Sequence, residues 1–221
     1  MIPYLPQPVW SVGPFTIHAF GVAAALALGV GYWIVLRRAR RYGIDGTRAG
    51  SVFVAILMTA LAAGFAIGGR RSMAGSGFAA GGGAVLLGYA WWARSWNILD
   101  LFGGAVPLMN VLVRIGCFLA HDHVGRPTTS WVGVRFPDGP RFDLGLLYAL
   151  AAVPVSIAIE WVSRTNPPPG LLFGAMVALL AITRLVVLRL GSTISLADEI
   201  FAGVMFVAGC ELVVVRWPCV R

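Results

Sequence analysis

Apolar residues run along this chain in long blocks, broken by short clusters of arginine, glycine and proline. A helix that crosses a bilayer needs about 20 mostly apolar residues. Seven such blocks are predicted, near 17–36, 49–69, 77–93, 97–119, 143–162, 170–188 and 195–215. The third is short and carries Gly81, Gly82 and Gly83 together, so a re-entrant or kinked segment lined by protein is an alternative to a straight span there. The longest polar stretch, 120–142, contains glycines and prolines that exclude a continuous helix. Within it, the alternation from Trp131 to Phe136 reads as a short strand, and Pro137-Asp138-Gly139 reads as a turn. The link TNPPPG at 165–170 is a stiff connector. The expected fold is an all-α integral membrane protein of about seven transmembrane helices. It forms one polytopic domain over 1–221, with an outer-face loop at 120–142.

Composition strengthens that picture. Hydrophobic residues make up 58% of the chain and charged residues 12%, where a soluble domain carries about 25% charge. Mean hydropathy is +0.82. The net charge is +8, and all 17 basic residues are arginine. They cluster at predicted helix ends, the place of topology signals, which argues against a nucleic-acid partner. Arg37, Arg38, Arg40, Arg41 and Arg48 follow the first block and no basic residue precedes it. The positive-inside rule then puts the N-terminus outside, this loop in the cytoplasm and, after seven spans, the C-terminus in the cytoplasm. Arg164, Arg216 and Arg221 obey the rule, whereas Arg70, Arg71, Arg126, Arg135, Arg141 and Arg189 fall on the outer side. Trp33, Trp91, Trp92, Trp96, Trp161 and Trp217 lie near cytoplasmic helix ends, and Trp10 and Trp131 near outer ones, as in an aromatic belt. Cys117, Cys210 and Cys219 have neither CxxC spacing nor an even count, so they define no disulfide framework or zinc knuckle. The N-terminus lacks the basic region of a signal peptide. No sustained repeat supports an inverted-repeat transporter.

Two charges fall inside predicted spans, Arg114 and Arg184. Burying each costs about 3 kcal/mol on insertion scales, so something must offset it. At 1.5 Å per residue they lie roughly 24 Å and 20 Å from the cytoplasmic starts of their helices, in the outer half of the bilayer. Asn110, Arg114, Cys117 and His121 follow the spacing of one helix face. One reading is structural: Asp143, Asp198 and Glu199 lie near outer helix ends and are candidate partners, or the arginines snorkel. The other is an anion site, because the planar guanidinium fork suits a phosphate and two forks at similar depth suit a phospholipid headgroup. The run His121-Asp122-His123 is open to three readings: a solvated loop, general acid/base chemistry, or metal binding. A H-x-H pair alone is a weak metal signal, since a closed site needs three or four ligands. Cys117 is a possible nucleophile, although cysteines in apolar surroundings are more often inert.

Several of these segments resemble the prolipoprotein diacylglyceryl transferase family. VGPFTIHAFG (12–21) resembles its N-terminal segment ending in H-x-Y-G, and GYWIVLRRARRYGID (31–45) its first cytoplasmic loop. VRIGCFLAHDHVGRPT (113–128) resembles the signature G-R-[IL]-G-N-F-I-N-G-E-x-x-G-R-P-T, and WVGVRFP (131–137) and PPGLLFG (168–174) the segments after it. By position, the resemblance matches Arg114, Gly116, Gly125 and Arg126 to the signature, Arg184 to an essential arginine of a later helix, and His18 to the N-terminal histidine. Asp122 replaces a glutamate, Phe20 a tyrosine, Cys117 and Ala120 two asparagines, and Leu180 a tyrosine one turn before the later arginine. The family's F-H-G-G segment reads Phe78-Ala79-Ala80-Gly81, so its histidine is absent, and the RHPSQLYE-like segment reads RFDLGLLY (141–148).

The resemblance implies transfer of a diacylglyceryl group from phosphatidylglycerol, or another anionic phospholipid, to the lipobox cysteine of a prolipoprotein. The setting it implies is the outer leaflet of a bacterial cytoplasmic (inner) membrane. In that reading Arg114, Arg184 and Arg126 hold lipid phosphate, His121 or His123 acts as base beside Asp122, and His18, Phe20, Asn110, Gly116, Cys117 and Gly125 support the site. No cofactor and no metal are expected. Two alternatives stay open: a phospholipid-binding relative without activity, and a metal-dependent membrane enzyme built on His121-Asp122-His123.

Overall fold

A computed structural model describes residues 1–68, 75–192 and 195–216. Arg70, Arg71, Trp217, Cys219 and Arg221 lie outside the described residues. Seven helices are described: α1 (Ala19–Arg41), α2 (Gly46–Gly68), α3 (Gly75–Trp92), α4 (Asn97–Ala120), α5 (Leu144–Ser163), α6 (Leu171–Leu188) and α7 (Leu196–Arg216). Each overlays one of the seven apolar blocks. Five of them, α1, α2, α4, α5 and α6, are long and apolar enough to cross a membrane. Glycine, tyrosine and tryptophan dilute the hydropathy of α3, and α7 carries Asp198, Glu199, Glu211 and Arg216. The glycines of α3 do not break the helix. They seat it on α2, where a Cβ at Gly77 would fall 2.7 Å from the Ala63 carbonyl oxygen and one at Gly81 2.9 Å from that of Thr59.

The helices alternate in direction between two ends. At one end the α1–α2 turn carries the arginine cluster. At the other lie six short strands: β1 (Ile2–Pro3), β2 (Val9–Val12), β3 (Phe15–His18), β4 (Val124–Pro127), β5 (Val134–Phe136) and β6 (Gly139–Asp143). The expected strand at 131–136 is β5, and the expected turn joins it to β6 with Val134 opposite Arg141 and Phe136 opposite Gly139. Two pairings add to that hairpin: β4 joins β6, and β1 runs parallel to β5, giving the order β1-β5-β6-β4. The hairpin of β2 and β3 explains why α1 starts at Ala19, since Phe15–His18 pairs with Val9–Val12. These strands cap an otherwise helical bundle.

The core lies around α4. Ile98, Leu99 and Leu101 are fully buried, and Leu172 of α6 packs with them. Gly103 permits this approach, because a Cβ there would lie 2.8 Å from the Phe173 backbone nitrogen. Asp100, fully buried, accepts from the backbone N–H groups of Gly170 (2.8 Å) and Phe173 (3.0 Å). The first N–H groups of a helix have no partner within it, so a carboxylate from α4 caps α6 across the bundle. Gly170 enters that helix at φ +89°, a conformation that favours glycine. Nearby, Arg38 Nη2 donates to Glu160 Oε2 (2.7 Å), and the Arg216 guanidinium lies 4.1 Å from the centroid of Trp96. The Nε of Arg216 is buried without an acceptor among the described residues.

Candidate functional site

The strand-capped end is arranged differently. Arg114, on α4, lies over the ring of Tyr148 on α5, with its guanidinium carbon 4.4 Å from the centroid. A cation over an aromatic face is attracted by the ring quadrupole, which offsets part of the cost of placing Arg114 here. Among the described residues its guanidinium makes no hydrogen bond or ion pair. Asn110, one turn earlier and partly buried, makes no side-chain hydrogen bond among them either. Arg184, on α6, donates from Nη2 to Asp198 Oδ1 of α7 (2.6 Å) and sits 5.9 Å from the Phe201 ring centroid. Its Nε is buried without an acceptor among the described residues. Both guanidinium groups lie within electrostatic reach of the Tyr148 phenol, as does Asp198.

Four helices therefore converge on Tyr148, which is buried. The expected carboxylate partners divide. Asp198 pairs with Arg184, Asp143 pairs with His121 rather than with either arginine, and Glu199 lies 3.1 Å from Arg189. Tyr148 was not singled out from the sequence. The signal was present as the one hydroxyl in the apolar run that opens the fifth block.

The run His121-Asp122-His123 does not act as one unit. His121 ends α4 in the left-handed region (φ 52°, ψ 36°), a conformation that costs a non-glycine residue of order 1 kcal/mol or more. Several contacts hold it there. Its Nδ1 donates to Asp143 Oδ2 (2.7 Å), its Nε2 faces the Leu5 carbonyl oxygen (2.9 Å), and its ring stacks on Tyr4 at 4.6 Å. Asp143 also accepts from the Leu146 N–H (3.2 Å), capping α5. Burial pushes the Asp143 carboxyl above its ordinary range, and the hydrogen bond from His121 opposes that shift. His121 is thus a locked turn residue tied to β6 and the N-terminal segment.

The reversal at His121 brings Asp122 and His123 back over the last turn of α4. His123 Nδ1 bonds Asp122 Oδ1, and the buried Cys117 joins them, one ligand atom from each residue lying within 4.8 Å of the others. The Asp122 carboxylate, and next the Cys117 contact, push the His123 imidazole up to about 9 against the opposing effect of burial. Asp122 also lines an open cavity of about 570 Å³ shared with Thr16, His18 and Phe20. Neither Arg114 nor Arg184 lines that cavity, so the arginine pair and the cavity occupy different flanks of α4.

The signature glycines have packing reasons. A Cβ at Gly116 would come 2.9 Å from Ala23 Cβ, where α4 crosses α1 beside Phe20. One at Gly125 would come 2.7 Å from the Leu190 carbonyl oxygen, where β4 meets the end of α6. Arg126 donates its backbone N–H to that carbonyl (3.0 Å), while its exposed guanidinium forms no ion pair among the described residues.

Comparison with known proteins gives two findings. A family model described as prolipoprotein diacylglyceryl transferase matches residues 72–215. The chain is also similar to a protein of Chromohalobacter salexigens named phosphatidylglycerol–prolipoprotein diacylglyceryl transferase. The two are 26% identical over 204 residues, covering 79% of this chain and 74% of that protein.

Proposed function

The chain belongs to the prolipoprotein diacylglyceryl transferase family, and from that premise we propose that it moves a diacylglyceryl group from phosphatidylglycerol to the lipobox cysteine of a prolipoprotein. The observation that carries this reading is the convergence of Arg114 and Arg184 on Tyr148, with Arg114 free of any carboxylate and Arg184 Nε free of any acceptor among the described residues. A phosphodiester has the charge and geometry to satisfy both forks. In the reaction the acceptor sulfur bonds the glyceryl carbon, the carbon–oxygen bond to phosphate breaks, and glycerol phosphate leaves with the electron pair. Positive charge already aimed at the departing phosphate lowers that barrier without reorganisation.

Asp198 keeps Arg184 in place before lipid arrives, and the phosphate then shares or displaces it. Arg126, exposed on β4, adds a third contact to the headgroup. The acceptor thiol enters from the cavity beside His18 and Phe20, where Asp122 and His123 receive it. His121 serves as a positioning residue. All seven helices form one membrane domain, with the arginine-rich end in the cytoplasm and the strands outside. That orientation follows the charge asymmetry of the first loop and places the site in the outer leaflet of a bacterial inner membrane.

The test is a glycerol phosphate release assay with the purified full chain, phosphatidylglycerol vesicles and a lipobox peptide. Release that depends on the peptide thiol is the expected result. No release, from a chain that still binds the vesicles' lipid, would overturn the reading.

A further inference from the structure

Three side chains at the end of α4 bear donors of three kinds. Cys117 offers sulfur, His123 nitrogen and Asp122 oxygen, with one atom from each within 4.8 Å of the others. We propose that Cys117, Asp122 and His123 form a site for a divalent transition metal, whose open position takes the acceptor's thiol as a further ligand. The inference rests on the transfer reaction proposed above and concerns how its nucleophile is made.

Geometry supports the site. An ion would take the place of the bond between Asp122 and His123, drawing one carboxylate oxygen, one imidazole nitrogen and Cys117 Sγ toward a common centre. Metal–ligand bonds of about 2.0–2.3 Å put neighbouring ligands of a tetrahedral ion roughly 3.3–3.8 Å apart. The cluster must therefore close by about 1 Å. Asp122 and His123 are exposed enough to make that movement, while Cys117 is buried and fixed in the helix. Their backbone is held by the locked turn at His121, which presents two mobile ligands over one rigid one. Three protein ligands with a fourth position open to a cavity is the plan of a reactive rather than a closed site. Here the open side is the cavity that Asp122 shares with His18 and Phe20.

The chemistry fits the reaction. A free thiol is mostly protonated at neutral pH and only its thiolate is nucleophilic. Coordination to a divalent ion removes the thiol proton outright, here to water in the open cavity. The sulfur then attacks the glyceryl carbon as glycerol phosphate departs toward Arg114 and Arg184. Cys117 lies one turn beyond Arg114, about 4.5 Å along the helix axis, so thiol and phosphate can be held on neighbouring flanks of α4. The donor set of sulfur, nitrogen and oxygen suits zinc, cobalt or iron(II).

The test uses chelator-treated full chain in detergent, titrated with cobalt(II) alone. One equivalent is expected to bind and give a sulfur-to-cobalt charge-transfer band. Cys117→Ser should remove the band, and Asp122→Asn or His123→Ala should weaken binding by at least about tenfold. A lipobox peptide should then intensify the band, and its serine counterpart should not. Absence of a band in the wild-type chain, or an unchanged band in Cys117→Ser, would overturn the site. A Cys117-dependent band that ignores the peptide thiol would overturn its role in activation. Arg114→Ala should keep the cobalt spectrum while losing transfer. Metal binding without transfer in the wild-type chain would therefore reject the transferase reading alone, and transfer undiminished in the chelator-treated chain would reject the metal alone.

Discussion

The two ends of this bundle gather their buried polar groups differently. At the arginine-rich end, Asp100 is fully buried and satisfied by two backbone N–H groups and Arg38 meets Glu160, while Arg216, stacked on Trp96, keeps one buried nitrogen without an acceptor among the described residues. At the strand-capped end, Arg114 has an aromatic face in place of a carboxylate, one nitrogen of Arg184 has no acceptor among the described residues, and Asp122 lines an open cavity. A polar group matched within the fold adds to stability. One left incompletely matched lowers stability and is kept where a ligand completes it. Incomplete matching alone therefore does not separate the two ends, and what points to function is the convergence of Arg114 and Arg184 on one buried tyrosine at the strand-capped end.

The sharpest way to break this comparison is Arg114→Ala. It should lower glycerol phosphate release by about 100-fold or more, the scale of losing a charge that stabilises a departing anion. Thermal unfolding in detergent should change by no more than about 1 kcal/mol, the worth of the cation–π contact. Arg114→Lys should recover little, since an ammonium lacks the planar fork. A large loss of stability would move Arg114 into the structural class.

Asp100→Ala probes the opposite end. Removing a carboxylate that caps another helix leaves buried N–H groups unmatched, so unfolding should become easier by about 2–4 kcal/mol. Release per folded molecule should be unchanged, measured by normalising activity to the folded fraction. A smaller effect is expected for Asp143→Asn. It weakens both the α5 cap and the hold on His121, at about 1–2 kcal/mol in thermal unfolding. By loosening the turn it should also weaken cobalt binding by a few fold, whereas Asp100→Ala should not. Glu160→Gln is the mildest. Glu160 is more than half exposed, so its pair with Arg38 should contribute at most about 1 kcal/mol to stability, and release should stay at the wild-type level.

The helices were legible because their signal is local. A run of about 20 apolar residues with arginine at its ends specifies a span whatever its neighbours do. The blocks at 97–119 and 143–162 accordingly correspond to Asn97–Ala120 and Leu144–Ser163. The strands β1 and β4 were not legible. Two residues at the N-terminus carry no pattern, and their pairing with β5 depends on a partner more than a hundred residues away. Arg114 and Arg184 stood out because a charge in an apolar run is costly wherever it points. Tyr148 did not, since a tyrosine in such a run is ordinary until two guanidinium groups are placed beside it.

The sequence alone determined the membrane class, the seven helical blocks, the family and the two arginines set within apolar helices. These follow from composition and short-range spacing, which hold before the chain folds. Tertiary structure alone decided which partners those groups meet. His121 and His123 are two residues apart and chemically identical. A single left-handed turn sends one ring between Asp143 and Tyr4 and the other to Asp122 and Cys117. Direction and distance between side chains on different elements are properties of packing, and no reading of local pattern contains them.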